Sequence, residues 1–179
     1  FSYGSIKKLF ARVGLYIQSA SLCSNDSLHA EFLLSPVSKS LQGDELQLGF
    51  ANNESDLKID EKKSFSDLAT ALQVSKENVR KKLRESLRLG IAGYGASTAT
   101  VAMMYQYEIA SDLDFLVDDN EDKIGLYSPN VNLRVEHVDK IYTNNVDVLV
   151  ILASRFANKI KNKHSNFGGK VIVPSLDRD

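Results

Sequence analysis

The chain has 179 residues, of which 43% are hydrophobic and 25% charged, a globular composition with room for one ordinary domain or a domain plus part of another. A formal net charge of −1 gives no overall field to recruit nucleic acid or an anionic membrane, so either partner would need a local patch. Cys23 is the single cysteine, which excludes an intramolecular disulfide, argues against a structural zinc site and suits a reducing cytoplasm; no apolar run approaches membrane-spanning length.

The start, Phe1 to Gly4, has neither an initiating methionine nor a charged-then-apolar signal, so the chain reads as cut from something longer. From Ser5 to Gly14, the residues Ile6, Leu9, Phe10 and Val13 share one helical face, and Gly14 arrives where a left-handed cap would sit. Leu15 to Leu22 reads as a strand, Ser24 to Ser27 as a turn, and His29 to Leu34 as a strand returning antiparallel. Pro36 to Asp60 is polar and weakly periodic, with Gly43, Gly49, Asn52 and Asn53, and reads as a loop or irregular connector, with room for a short helix, at a domain boundary.

The stretch from Ser64 to Leu87 supports two helices. Phe65, Leu68, Ala69 and Leu72 form one face, Ser75 is placed to cap a second helix, and Val79, Leu83 and Leu87 continue an apolar stripe. A tight joint there would make a helix-turn-helix, with Arg80, Lys81, Lys82, Arg84 and Arg88 facing phosphates. Against that reading, Gln73 stands where such a turn usually has glycine, and no third basic element follows.

From Leu89 on, short strands alternate with helices: strands at 89–93, 113–118, 132–136, 146–153 and 170–174, helices at 97–109 and 155–163. That alternation implies a mainly parallel five-strand Rossmann-like sheet with helices on both faces, and the near-continuous apolar run from Val146 to Leu152 suits a central strand. The expected segments are 1–38 (helix and hairpin, the end of an upstream domain), 39–88 (a connector with two helices) and 89–179 (the Rossmann-like domain).

Chemistry concentrates after the first of these parallel strands. In the run Gly93, Tyr94, Gly95, Ala96, Ser97, Thr98, the first glycine permits a tight exit and the second a close backbone approach. The amides opening the next helix would then point at an anion. Thr98 replaces the third glycine of the dinucleotide fingerprint, with Ala99 beside it small enough for close packing. Asp118 lies at a strand end where a ribose-binding acid would lie, although Asp119 and Asp122 make the following loop read as an ordinary solvated one. His29, His137 and His164 lack ligand-spaced neighbours and read as surface or strand-end residues, so no metal site is expected. The run from Lys159 to His164 could contact phosphate, but Lys159, Lys161 and Lys163 read rather as cations complementing a helix C-terminus. Met103, Met104, Tyr105 and Tyr107 read as sheet packing, and Cys23 as a small buried apolar residue.

Taken with the later residues Asp118, Asn120, Lys123, Gly125, Tyr127 and Pro129, the glycine turn resembles the C-terminal domain of S-adenosylmethionine-dependent sugar C-methyltransferases. In that family a Gly-Tyr-Gly-Ala turn is followed by Asp, Asn, Lys, Gly, Tyr and Pro at these intervals. The helix with Ser5, Leu9 and Gly14, the hairpin after it and the strand at Val171 to Pro174 resemble the same family, which leaves Ser35 to Lys63 without a counterpart. The resemblance implies methylation of a carbon beside a keto group on a nucleotide-linked deoxysugar. S-adenosylmethionine, any zinc and the catalytic residues are expected on an upstream domain of the same polypeptide, so this chain alone would not methylate. Gly93, Tyr94, Gly95, Ala96, Ser97, Asp118, Asn120, Lys123, Gly125 and Tyr127 are the implied substrate contacts, with no membrane or nucleic-acid partner expected. The sequence departs from the family where Ala99 and Thr100 stand in place of a usual lysine, and where Asn130 follows Pro129 in place of glycine. A free-standing NAD- or coenzyme A-binding module is the other reading of the fold.

Overall fold

The computed structural model describes residues 2–22, 30–36, 54–56, 58–59, 61–86, 90–143 and 145–176. The expected turn from Ser24 to Ser27, Cys23, His29, most of the connector from Pro36 to Asp60, and Leu87, Arg88 and Leu89 lie outside them. The chain falls into two compact units, Phe1–Leu68 and Ala69–Asp179. No helix among the described residues is long and apolar enough to cross a membrane.

The first unit opens with helix α1 (Tyr3–Arg12). Ser2 and Ser5 form a reciprocal capping box, and the Glu54 carboxylate accepts the Tyr3 amide and, at 2.9 Å, the Gly4 amide. An acid at this end meets the positive pole of the helix as well as its unbonded N–H groups. At the other end Gly14 adopts φ 73°, while its amide reaches Ala11 O and the Leu15 amide reaches Phe10 O, a Schellman closure. Strands β1 (Tyr16–Leu22) and β2 (Ala30–Ser35) then pair antiparallel, with a register shift between Ile17 and Ser19. Phe10 of α1 meets Phe32 of β2 with ring centroids 6.4 Å apart.

Helix α2 runs unbroken over Lys62–Arg84. The expected joint near Gln73 is therefore absent, and Ser75 is not a cap. No glycine or proline lies between Lys62 and Arg84 to stop the helix. The Ser75 hydroxyl instead meets Tyr107 Oη at 3.0 Å and donates to Ser175 O. The helix-turn-helix geometry is thus missing from this stretch.

The second unit is built on strands β3 (Gly90–Tyr94), β4 (Phe115–Asp118), β5 (Val135–His137), β6 (Val146–Ile151) and β7 (Lys170–Ile172). All pairings in this sheet are parallel and its order is β5-β4-β3-β6-β7. Chain connection reverses direction between β3 and β6, which is the topological switch point of a doubly wound fold. Alternation along the strands splits the core into two layers. Ile91, Val148 and Val150 pack with Val79 and Leu83 of α2 and with Met104 and Tyr107 of helix α3 (Thr98–Tyr107). Ala92, Tyr94, Leu149 and Ile151 pack on the other face with Ile141 of α4 (Lys140–Thr143) and Ile160 of α5 (Ala157–Lys163). The structure thus has the five parallel strands and covering helices that the alternation implied, each strand a few residues shorter or shifted. Expectation for the α3 methionine and tyrosine group holds for Met104 and Tyr107, which are buried, whereas Tyr105 is exposed.

Candidate functional site

The glycine turn leaves β3 at its carboxyl end, beside the switch point. Gly93 is still inside the strand, where an added Cβ would come within 2.7 Å of Leu116 Cδ2, so its place is set by packing. Gly95 makes the turn: its φ is 111°, and its amide donates to Val117 O at 2.8 Å. Ser97 then caps α3 in a capping box with Thr100. The Ala96 amide is taken by Asp118 Oδ2 at 2.7 Å and the Ser97 amide by Thr100 Oγ1 at 2.7 Å. Thr98 and Ala99 amides, in the first turn, have no acceptor within the helix.

Two clefts open here. The first, about 350 Å³, lies over the ends of β3, β4 and β6, with Tyr94, Gly95, Asp119, Phe156, Lys159 and Lys163 in its walls. The second, about 550 Å³, lies toward β5, with Thr98, Val101, Leu126, Tyr127, Ser128, Pro129 and Val135 around it. Ala96, Ser97 and Lys123 line both, so the clefts meet beside the opening of α3.

Asp118 organises the junction. Its carboxylate accepts the Ala96 amide, the Asn120 amide at 2.9 Å and Lys123 Nζ at 3.1 Å, tying the glycine turn to the following loop. Asn120 in turn accepts the Asp122 amide and starts the tight turn Glu121–Lys123. Asp118 is therefore engaged with protein donors, unlike an acid left open for ribose hydroxyls.

A polar chain leads from Tyr94, Asp119 and Lys163 in the first cleft to His164 and Tyr142, which do not line it. Tyr94 Oη donates to Asp119 Oδ2 at 2.8 Å and contacts His164 Nε2 at 3.2 Å; Tyr142 Oη lies 2.8 Å from His164 Nδ1. Lys163 donates to the other Asp119 oxygen. Burial, then the hydrogen bond and charge of Asp119, push the Tyr94 phenol far above its ordinary range. His164, only 7% exposed, is held below the usual imidazole value by burial first and the Lys163 charge second, with Asp119 and Asp139 pulling the other way. For Asp119, burial opposes ionisation, but the hydrogen bonds from Lys163 and Tyr94 and the Lys163 charge outweigh it and hold the carboxyl below the usual range. At neutral pH this chain thus carries a neutral phenol, a neutral imidazole and a lysine-paired carboxylate.

Of the residues named from the sequence, Tyr94, Gly95, Ala96, Ser97, Asp118 and Lys123 line the first cleft and Tyr127 the second; Gly93, Asn120 and Gly125 line neither. The expectation for His164 as a surface or strand-end residue is overturned, because it lies beneath Tyr94 and Tyr142. Lys159 and Lys163 face the cleft from α5, and Lys159 has no ion-pair partner among the described residues. Asp119, Phe156, Lys159, Lys163 and Ser128 line the clefts but were not among the implied contacts; the sequence marked Asp119 as part of an acidic loop and Lys159 and Lys163 as part of a basic run, and gave no sign of Phe156 or Ser128. Asn130, standing where the resemblance expects glycine, has φ 65°, a left-handed conformation asparagine tolerates. Among the described residues no three His, Cys, Asp or Glu side chains converge as a metal site requires.

The family model of the C-methyltransferase C-terminal domain matches residues 39–175. The chain belongs to this family. No curated protein matches it. As a C-methyltransferase C-terminal domain, its matched span takes in α2, the whole parallel sheet and both clefts. Methyltransferases of this family imply the use of S-adenosylmethionine in general terms.

Proposed function

We propose that this C-methyltransferase C-terminal domain holds the nucleotide-linked sugar while an S-adenosylmethionine-binding domain upstream in the same polypeptide supplies the methyl group. The observation that carries the reading is the meeting of two clefts at Ala96, Ser97 and Lys123, beside the Thr98 and Ala99 amides that have no acceptor within α3. A nucleoside diphosphate-sugar has an anionic centre with a different group at each end. Its diphosphate suits a junction with a lysine and helix-opening amides, and its ends suit the two clefts. Methylation beside a keto group needs a proton removed from carbon and an enolate held in line with the sulfonium methyl. The present domain contributes orientation to that step, not the base.

Lys159 supplies a cation from α5 to the cleft that Thr100 also lines, where the sequence lacks the lysine usual in the family. Engagement of Asp118 by Ala96, Asn120 and Lys123 counts against the NAD-binding alternative. Calorimetry of the chain with a nucleoside diphosphate-deoxysugar, NAD and S-adenosylmethionine tests the reading. The nucleotide-sugar is expected to bind, and Lys123→Ala to weaken it on the order of tenfold, as loss of a charged hydrogen bond does. Tight NAD binding without nucleotide-sugar binding would reject it.

A further inference from the structure

The second cleft has a property that the first lacks. Ser128 stands in its wall, 7% exposed, and its buried hydroxyl has no hydrogen-bond partner among the described residues. Buried hydroxyls are nearly always satisfied, and one left without a partner beside a cavity can be completed by a ligand atom that reaches it. The wall around it is tied by backbone hydrogen bonds. The Ser128 amide donates to Leu133 O at 2.8 Å, the Val135 amide to Leu126 O and the Gly125 amide to Val135 O, while Tyr127 bridges antiparallel to Arg134. Val101, Leu126, Tyr127, Pro129 and Val135 make the rest apolar or aromatic. Such a slot fits a flat ring with hydrogen-bonding groups on its edge. Because Ser97 and Lys123 belong to both clefts, an anionic group carried next to the ring would meet Lys123 and the opening of α3.

We infer that the second cleft seats the nucleobase, with Ser128 Oγ bonded to the base edge, and that the sugar end lies in the first cleft. This orientation rests on the nucleotide-sugar reading and adds to it which end goes where. The polar floor of Tyr94, Asp119 and Lys163 then faces sugar hydroxyls, and Phe156 offers an apolar surface at the lip.

The test is amide NMR on the labelled chain, titrated in turn with pyrophosphate, with thymidine or uridine diphosphate, and with the matching nucleotide-sugar. Pyrophosphate should move Thr98 and Ala99. Adding the nucleoside should move Leu126, Tyr127, Ser128 and Val135 as well, and adding the sugar should move Tyr94 and Lys163. Ser128→Ala, which removes an unsatisfied hydroxyl and should melt no lower than the parent, is expected to raise the Kd of the nucleoside diphosphate about tenfold while leaving pyrophosphate unchanged. Base-dependent shifts confined to Tyr94, Gly95, Lys159 and Lys163, or an unchanged Kd in Ser128→Ala, would overturn the orientation and leave the nucleotide-sugar reading standing. Absence of shifts with every nucleotide and nucleotide-sugar would overturn both.

Discussion

Gly95 meets two demands at once. Its φ of 111° belongs to glycine, and a Cβ there would stand 2.9 Å from Thr100 Cγ2 and 3.1 Å from Ala153 Cβ. Gly95→Ala should therefore lower stability by about 1–3 kcal/mol in urea unfolding, from strained backbone plus crowding. The sequence pattern exposed this residue because a positive φ leaves its mark as a local glycine. His164 left no such mark, since its burial comes from Tyr94 and Tyr142, far away in the chain. With its imidazole pKa lowered in the fold, the unfolded chain takes up a proton first as pH falls below the ordinary value of about 6.5. His164 thus contributes stability fully above that value, and the contribution is lost as pH falls through the lower folded value. Thermal melting should shift down between neutral pH and about 5, and less steeply in His164→Gln; equal slopes in the two proteins would contradict the assignment. Asp119, also lowered, contributes stability that is fully present above the ordinary carboxylate value and is lost only in a more acid window, as pH falls through its lower folded value.

At the scale of elements, α2 shows how a side chain can mislead. Ser75 is a residue type that caps helices, and Gln73 before it stands where the tight joint was expected. The hydroxyl is instead satisfied by Tyr107 and Ser175, and Gln73 donates to Glu77 one turn on, so the helix continues. Val79 and Leu83 then reach the sheet, where Leu83 is fully buried. Leu83→Ala should cost about 2–5 kcal/mol in denaturant unfolding, the range for an incompletely collapsing core cavity. At the start of α3 the sequence was a better guide, since Ser97 and Thr100 carry their capping roles locally. Ser97→Ala should lose about 1 kcal/mol of stability. The short helix α4 was not legible, because four residues carry too little periodicity to stand out.

For the whole molecule, alternation of strands and helices sufficed to read a parallel sheet, because each strand's apolar run and each covering helix is a local pattern. Sheet order was not legible in the same way, and it is the order that puts β3 beside β6 and so places the glycine turn at the switch point. The site was half legible for the same reason: Tyr94 to Ser97, Asp118 and Lys123 lie close in sequence, whereas Phe156, Lys159 and Lys163 arrive from α5 and its approach only through the fold. The central claim, that one substrate spans both clefts with its diphosphate at their junction, is tested most directly by a crystal structure of the chain with a bound nucleoside diphosphate-sugar. The account predicts diphosphate density between Lys123 and the first-turn amides of α3, with the base beside Ser128 and the sugar beside Tyr94. Density for the diphosphate away from Lys123, with both clefts unfilled, would contradict it.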